Sequence, residues 1–263
     1  MKKFFLLLAV VLLALPSLAR DFEYNGLTYT VLDEDARTCE TKPGEEGIPG
    51  NQVEGDLVIP ATVYDGESEY SVTIIGWWSF CNCSELTSVE IPSSVTIIAE
   101  GAFCYCSGLT SVEIPSSVTI IGGRVFEHCY NMASVELPSS LTFIGERAFG
   151  GCTGLTSVYY GAEILAEGSE GIFETWNDVN IYEQATLYVR ESALPQAETV
   201  TPWCLFANRE AYNFGTGVTN IAADAAVEVY TLDGMKVGAS TDELPTGIYI
   251  VRQGSEVRKI AVK

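Results

Sequence analysis

Residues 91–113 read IPSSVTIIAEGAFCYCSGLTSVE, and residues 114–136 read IPSSVTIIGGRVFEHCYNMASVE. A chain that writes one 23-residue pattern in tandem is restricted to folds in which each copy packs on the next. The pattern continues as LPSSLTFIGERAFGGCTGLTSVY over Leu137–Tyr159 and is foreshadowed by SVTIIGWWSFCNCSELTSVE over Ser71–Glu90. Superposing the copies aligns Phe80, Phe103, Phe126 and Phe149 in one column. Others hold Ile75, Ile98, Ile121 and Ile144; Val89, Val112, Val135 and Val158; and Leu86, Leu109, Met132 and Leu155. Columns this uniform predict that equivalent side chains touch across neighbouring copies.

One unit cannot stand alone. Each of its large apolar side chains gains roughly 2 kcal/mol on burial, and about seven of them do not offset an ordering cost of roughly 1–2 kcal/mol per residue. Stacking buries both faces of every inner copy, which predicts a repeat solenoid. Within a unit, SVEIP alternates: Val112 and Ile114 point inward and Ser111 and Glu113 outward, as in a short strand. VTII is a second extended piece, and GAFCYCSG reads as a turn. Strand, tight return segment and turn in this length fit a leucine-rich repeat of short parallel strands. Between Ile59-Pro60 and Ile91-Pro92 the spacing lengthens, and the surplus around VYDGESEYSV reads as a hairpin.

The recurring Ile-Pro, Ser-Val-Thr, Ile-Gly, Ala-Phe, Cys and Leu-Thr-Ser-Val of Ile91–Tyr159 resemble the BspA-like leucine-rich repeats of bacterial surface antigens. That resemblance implies adhesion at a bacterial surface, with host or matrix proteins as partners. FEYNGLTYTVL (Phe22–Leu32) predicts a strand pair over the first rung, followed by a polar, acidic, Gly-rich loop. Ala185–Phe206 resembles the closing unit of the same family, with a strand, a short helix and a Trp–Phe plug. After it, Asp233-Gly234 and Gln253-Gly254 predict two hairpins. The tail, with Leu244-Pro245-Thr246-Gly247-Ile248-Tyr249 and a terminal Lys259-Ile260-Ala261-Val262-Lys263, resembles a type IX secretion sorting domain. A small β-module capping the solenoid is the competing reading.

The chain opens MKKFFLLLAVVLLALPSLAR: two lysines, a short apolar run and a small-residue exit, which predict a secretory leader cleaved after Ala19. No later apolar run suits a membrane span. The expected organisation is a leader (1–19), an N-terminal β-cap (20–58), a solenoid with its closing unit (59–215) and a C-terminal β-sandwich-like sorting or capping module (217–263). The formal net charge is −21, and residues 20–216 carry 29 acidic against 7 basic side chains. Such a body repels nucleic acid and anionic lipid, so neither is an expected partner. Export places the protein outside the cell, secreted or on the cell surface.

The candidate site is the outward strand column Glu90, Glu113 and Glu136, followed by Tyr159, with Ser88, Ser111 and Ser134 beside it. It predicts a concave docking stripe for a cation or basic protein; the competing reading is a charged face that prevents self-association. Whether calcium occupies the acidic face stays open, as does the oligomeric state. Trp77, Trp78 and Tyr105 are candidate stacking platforms for a glycan, and a purely structural surface component is the third reading. Cys83, Cys106, Cys129 and Cys152 recur in step with the Phe column and read as packing residues. Cys81 and Cys104 could bridge or join the other C-x-C thiols around zinc, and Cys39 with Cys204 could pair, though in-line stacking is poor bridging geometry. The one histidine, His128, sits in a variable column with Asn82, Tyr105 and Gly151, read as exposed. No triad, P-loop or dinucleotide fingerprint appears, and equivalent glutamates lack the unlike environments that paired catalytic carboxyls need. The expectation is a non-enzymatic protein with no cofactor and no metal.

Overall fold

The computed structural model describes residues 20–214, apart from 167, 169 and 176–178, and beyond them the backbone of four strands. The predicted leader, the Asp233-Gly234 turn and Leu244–Thr246 lie outside the described residues. Two compact units divide at Glu210 and Ala211.

The first unit starts with strands β1 (Asp21–Tyr24), β2 (Leu27–Asp33) and β3 (Thr38–Thr41). β1–β2 is the expected hairpin, and β2 also pairs antiparallel with β3. β4 (Gly55–Val58) precedes a second hairpin, β5 (Thr62–Tyr64) and β6 (Glu69–Ile75), which accounts for the lengthened spacing. The rungs then alternate long and short strands: β7 (Leu86–Glu90), β8 (Ile97–Ile98), β9 (Ser111–Glu113), β10 (Ile120–Ile121), β11 (Ser134–Leu137), β12 (Phe143–Ile144) and β13 (Ser157–Tyr160). Helix α1 (Ile181–Gln184), β14 (Thr186–Val189), α2 (Leu194–Ala197) and β15 (Asn208–Ala211) close the array. The long strands make one sheet in the order β15-β14-β13-β11-β9-β7-β4, and the return segments a second, β1-β2-β3-β6-β8-β10-β12.

Each rung therefore has three sides: strand, return segment and turn. The turn side holds itself together by backbone bonds to the next rung, from the N–H of Trp78 to Glu100 O (3.0 Å), of Phe80 to Ala102 O (2.9 Å) and of Asn82 to Cys104 O (2.8 Å). The intervening amides bond within the turn, as Cys81 N–H does to Trp78 O (3.2 Å). Directing alternate amides outward twists the chain into the left-handed region at two positions per rung: Trp78, Gly101, Arg124 and Arg147, and Asn82, Tyr105, His128 and Gly151. Gly101 is required in its column, because a Cβ there would run into the Trp78 ring as well as carry a φ of +66°.

The core is a stack of phenylalanine rings. Phe80, Phe103, Phe126 and Phe149 lie 5.3, 5.6 and 5.4 Å apart and nearly parallel. Phe173 extends the stack by 5.5 Å, beyond the four expected from sequence. Phe206 meets Phe173 edge-on at 5.3 Å, and Trp203, fully buried, anchors its Nε1–H on Ala166 O at 2.7 Å. These two form the plug of the closing unit.

The segment expected to be a polar loop before the array does more than connect. Thr38–Thr41 is the strand β3, parallel to β6. Thr41, fully buried, accepts from Gly76 N–H (2.9 Å) and Ser79 Oγ (2.8 Å). Downstream, Gly44 N–H reaches Trp77 O (2.6 Å) and Asn51 N–H reaches Ser79 O (2.6 Å), so this stretch supplies the turn side beneath the first rung. Arg20 ties the start of the unit to the β5–β6 hairpin through Asp65 (2.5 Å) and the Tyr70 hydroxyl (3.0 Å).

The second unit contains β16 (Val227–Thr231), β17 (Lys236–Gly238), β18 (Gly247–Gln253) and β19 (Glu256–Val262). Its described residues form one antiparallel sheet, β17-β16-β18-β19. β18 and β19 pair antiparallel from Gly247↔Val262 to Gln253↔Glu256, and residues 254–255 of the second predicted turn lie outside the described residues.

Candidate binding face

The long-strand sheet buries Val89, Val112, Val135 and Val158 and turns the alternate residues outward. Parallel pairing puts Glu90 beside Glu113, Glu113 beside Glu136, and Glu136 beside Tyr159. Register rather than sequence distance creates this row: adjacent strands run about 4.8 Å apart. The row is longer than the sequence reading had it, for Val58 precedes Glu90 and Tyr188 follows Tyr159. Tyr188 was missed because the chain leaves the repeat after Tyr159, so β14 falls out of the 23-residue spacing. The Tyr159 and Tyr188 rings stack at 4.7 Å and 11°.

A second row on this face runs Asp56, Ser88, Ser111, Ser134, Ser157 and Thr186. Asp56 Oδ1 accepts from Ser88 Oγ (2.6 Å) and Thr87 Oγ1 (2.9 Å), and these two bonds hold its carboxyl below the usual range. Glu90, Glu113 and Glu136 are exposed and have no hydrogen bond or ion pair among the described residues. The basic groups of the unit are engaged elsewhere: Arg20 with Asp65, Lys42 with Asp21, Arg124 with Glu46, Arg147 with Glu174 and Arg190 with Glu163.

Trp77, Trp78 and Tyr105 lie on the turn side, apart from this face. Trp77 is 48% exposed, whereas the half-buried Trp78 ring covers Gly101. Tyr105 packs on His128 (4.5 Å), which packs on Tyr130 (5.3 Å). His128 is thus half-buried rather than exposed as its variable column suggested, and burial lowers its pKa. Behind them the carboxyl of Glu127 is buried, which pushes its pKa up, while Arg124 and Arg147 oppose the shift.

All eight cysteines are free thiols. Cys106, Cys129 and Cys152 donate to the carbonyls of Phe80 (3.2 Å), Phe103 (3.3 Å) and Phe126 (3.1 Å), each on the preceding rung. Cys83 reaches Asn51 O at 3.4 Å. The column packs like small hydrophobes and also joins successive rungs by weak S–H bonds. No cluster of three or more His, Cys, Asp or Glu is placed to hold a metal ion among the described residues. Nor is any helix among them long and apolar enough to cross a membrane.

No curated protein is similar enough to the chain to match it. Among solved structures, a leucine-rich repeat protein from Bacteroides capillosus ATCC 29799 is 26% identical, over 53% of this chain and 97% of its own, with a TM-score of 0.44. The T. pallidum leucine-rich repeat protein is 24% identical, over 59% of this chain and 81% of its own, with a TM-score of 0.41. The pneumococcal vaccine antigen PcpA is 18% identical, over 66% of this chain and 51% of its own, with a TM-score of 0.47. The family model for the BspA type leucine rich repeat region matches residues 66–179 in six copies. These are the residues whose rungs share one phenylalanine stack and one in-register strand face, and this part of the chain is similar to the BspA-type leucine-rich repeat region.

Proposed function

We propose that this chain is an exported, non-enzymatic interaction protein that binds a basic protein partner, of the host or its matrix, on the strand face of its solenoid. One observation carries the reading: three exposed carboxylates stand in register on adjacent strands with no counter-charge among the described residues, while Arg20, Lys42, Arg124, Arg147 and Arg190 pair with other acids. Like charges directly opposite one another on a sheet are destabilising, and a cationic partner relieves that. Side chains that repeat in equivalent surroundings suit a long protein surface better than a single reaction. The leader-like start and the sorting-like tail support delivery to the cell surface.

The test is capture of matrix proteins by the chain lacking its leader and by the double variant Glu113→Lys, Glu136→Lys. Loss of capture with an unfolding midpoint no lower than that of the native chain is expected; undiminished capture would sink the proposal. A glycan-binding role has Trp77 and Tyr105 in its favour, 48% and 44% exposed on the turn side. Glycan-array binding that survives the charge reversal and disappears in Trp77→Ala would transfer the function there. Display on intact cells with and without residues 217–263 tests the tail, and unchanged display of the shortened form would reject a sorting role.

A further inference from the structure

We infer that the strand face docks a polyproline-II segment with a basic side chain at every third residue, lying along the stacking axis across the strands. The inference rests on the proposed basic-partner reading and specifies the partner's backbone.

The backbone of the face constrains the ligand first. In a sheet, N–H and C=O groups lie in the sheet plane and pair with neighbouring strands, so a chain on top of the face meets side chains only. A β-strand laid there would bury its own unpaired amides and carbonyls, which is unfavourable. A polyproline-II helix carries a solvated backbone and needs no such pairing.

Spacing points the same way. Alternate rungs are about 9.6 Å apart, from a strand spacing of about 4.8 Å. Polyproline II repeats every three residues at about 3.1 Å each, or about 9.3 Å. A β-strand repeats its face about every 6.7 Å, and an α-helix returns after seven residues at about 10.5 Å. Over two rungs polyproline II is therefore out by about 0.3 Å and a helix by about 0.9 Å.

The row Val58, Glu90, Glu113, Glu136, Tyr159, Tyr188 divides into two alternating sets. Glu90, Glu136 and Tyr188 form one set with two carboxylates; Val58, Glu113 and Tyr159 form the other with one. A three-residue period selects the first set, seating two cations on Glu90 and Glu136. The stacked Tyr159–Tyr188 pair then lies under the following turn as an aromatic platform of the kind polyproline-II ligands use. Ser88, Ser111 and Ser134 alongside are small and leave room for the helix.

The experiment is fluorescence anisotropy of the whole chain with two labelled peptides of identical composition. One carries repeated Pro-Pro-Arg; the other has the same arginines grouped at one end. The periodic peptide is expected to bind about tenfold more tightly, and Glu90→Gln with Glu136→Gln to remove that advantage while Glu113→Gln leaves most of it. Equal binding of both peptides, lost on charge reversal of the face, overturns the polyproline-II inference and keeps the basic-partner reading. An advantage abolished as fully by Glu113→Gln overturns the alternate-rung phase. If neither peptide binds, and basic matrix proteins also fail, both readings fall.

Discussion

Replacing Phe126 with alanine should cost about 4 kcal/mol of folding stability. Its ring is fully buried between Phe103 at 5.6 Å and Phe149 at 5.4 Å, at interplanar angles of 4° and 16°. Burial of such a side chain accounts for about 2–3 kcal/mol, and the two ring contacts add roughly 0.5–1.5 kcal/mol each. The gap cannot close by sliding the rungs together, because backbone bonds such as Phe126 N–H to Ala148 O (2.8 Å) fix their separation. The total falls within the roughly 3–5 kcal/mol typical of Phe→Ala in a core. Urea unfolding followed by circular dichroism measures it, with Phe143→Ala as control: Phe143 is 37% exposed on the return sheet and its loss should cost under about 1 kcal/mol. If Phe126→Ala is no worse than Phe143→Ala, the stack is not what holds the rungs together.

Glu40 gives a pH dependence. Burial, and then the charge of Asp21, pushes its carboxyl up to about 7. A pKa raised on folding means stability is fully present below the ordinary carboxylate range and is lost as pH rises through about 7, by at most about 3 kcal/mol. Denaturant midpoints should therefore fall between pH 5 and pH 8 in the native chain and stay flatter in Glu40→Gln; parallel curves would reject the assignment. Thiol titration of the folded chain should label Cys204 first, since the other seven cysteines are buried and burial pushes the Cys39 and Cys152 thiols up to about 12. Unfolding without reductant should release all eight, and a shortfall of two would reveal a bridge. Gly101→Ala should cost about 1–2 kcal/mol and shift the Trp78 fluorescence, because the new methyl displaces that ring; an unchanged spectrum would contradict the packing.

The repeat made the core legible because one constraint acted on every copy. Phe80, Phe103, Phe126 and Phe149 must be large and apolar wherever a ring above and a ring below press on them. Phe173 and Tyr188 obey the same constraint but follow changes of spacing, so only the structure restores their register. The left-handed positions were hidden for a different reason. Asn82, Tyr105, His128 and Gly151 share a backbone geometry that different side chains tolerate, and a column defined by φ leaves little trace in residue type. Thr38–Thr41 was hidden by its polarity: Thr41 is buried because two hydrogen bonds satisfy it, a pairing with Gly76 and Ser79 that no local pattern announces. The strand face was readable as a row of glutamates, but its lack of counter-charge required knowing which acids the arginines choose.

That unbalanced row bears directly on why it is there. Two unit charges about 5 Å apart repel by about 0.8 kcal/mol in water-like surroundings, less as salt rises. Glu113 has a glutamate on either side and bears this twice, while Glu90 and Glu136 bear it once. A core gaining about 4 kcal/mol from each inner phenylalanine tolerates the cost easily, so folding alone gives no reason to keep it, nor any reason for all three residues to be acidic. Glu113→Gln should therefore raise the unfolding free energy by up to about 1.6 kcal/mol at low salt, a gain that shrinks in 0.5 M salt. Glu90→Gln should give about half as much. A stabilising substitution on an exposed face, paired with weaker capture of a basic partner when its neighbours are changed, is what a surface kept for docking shows. If instead both variants lose stability, the glutamates serve the fold, through contacts with water or with one another, and the strand face has no claim to be the binding site.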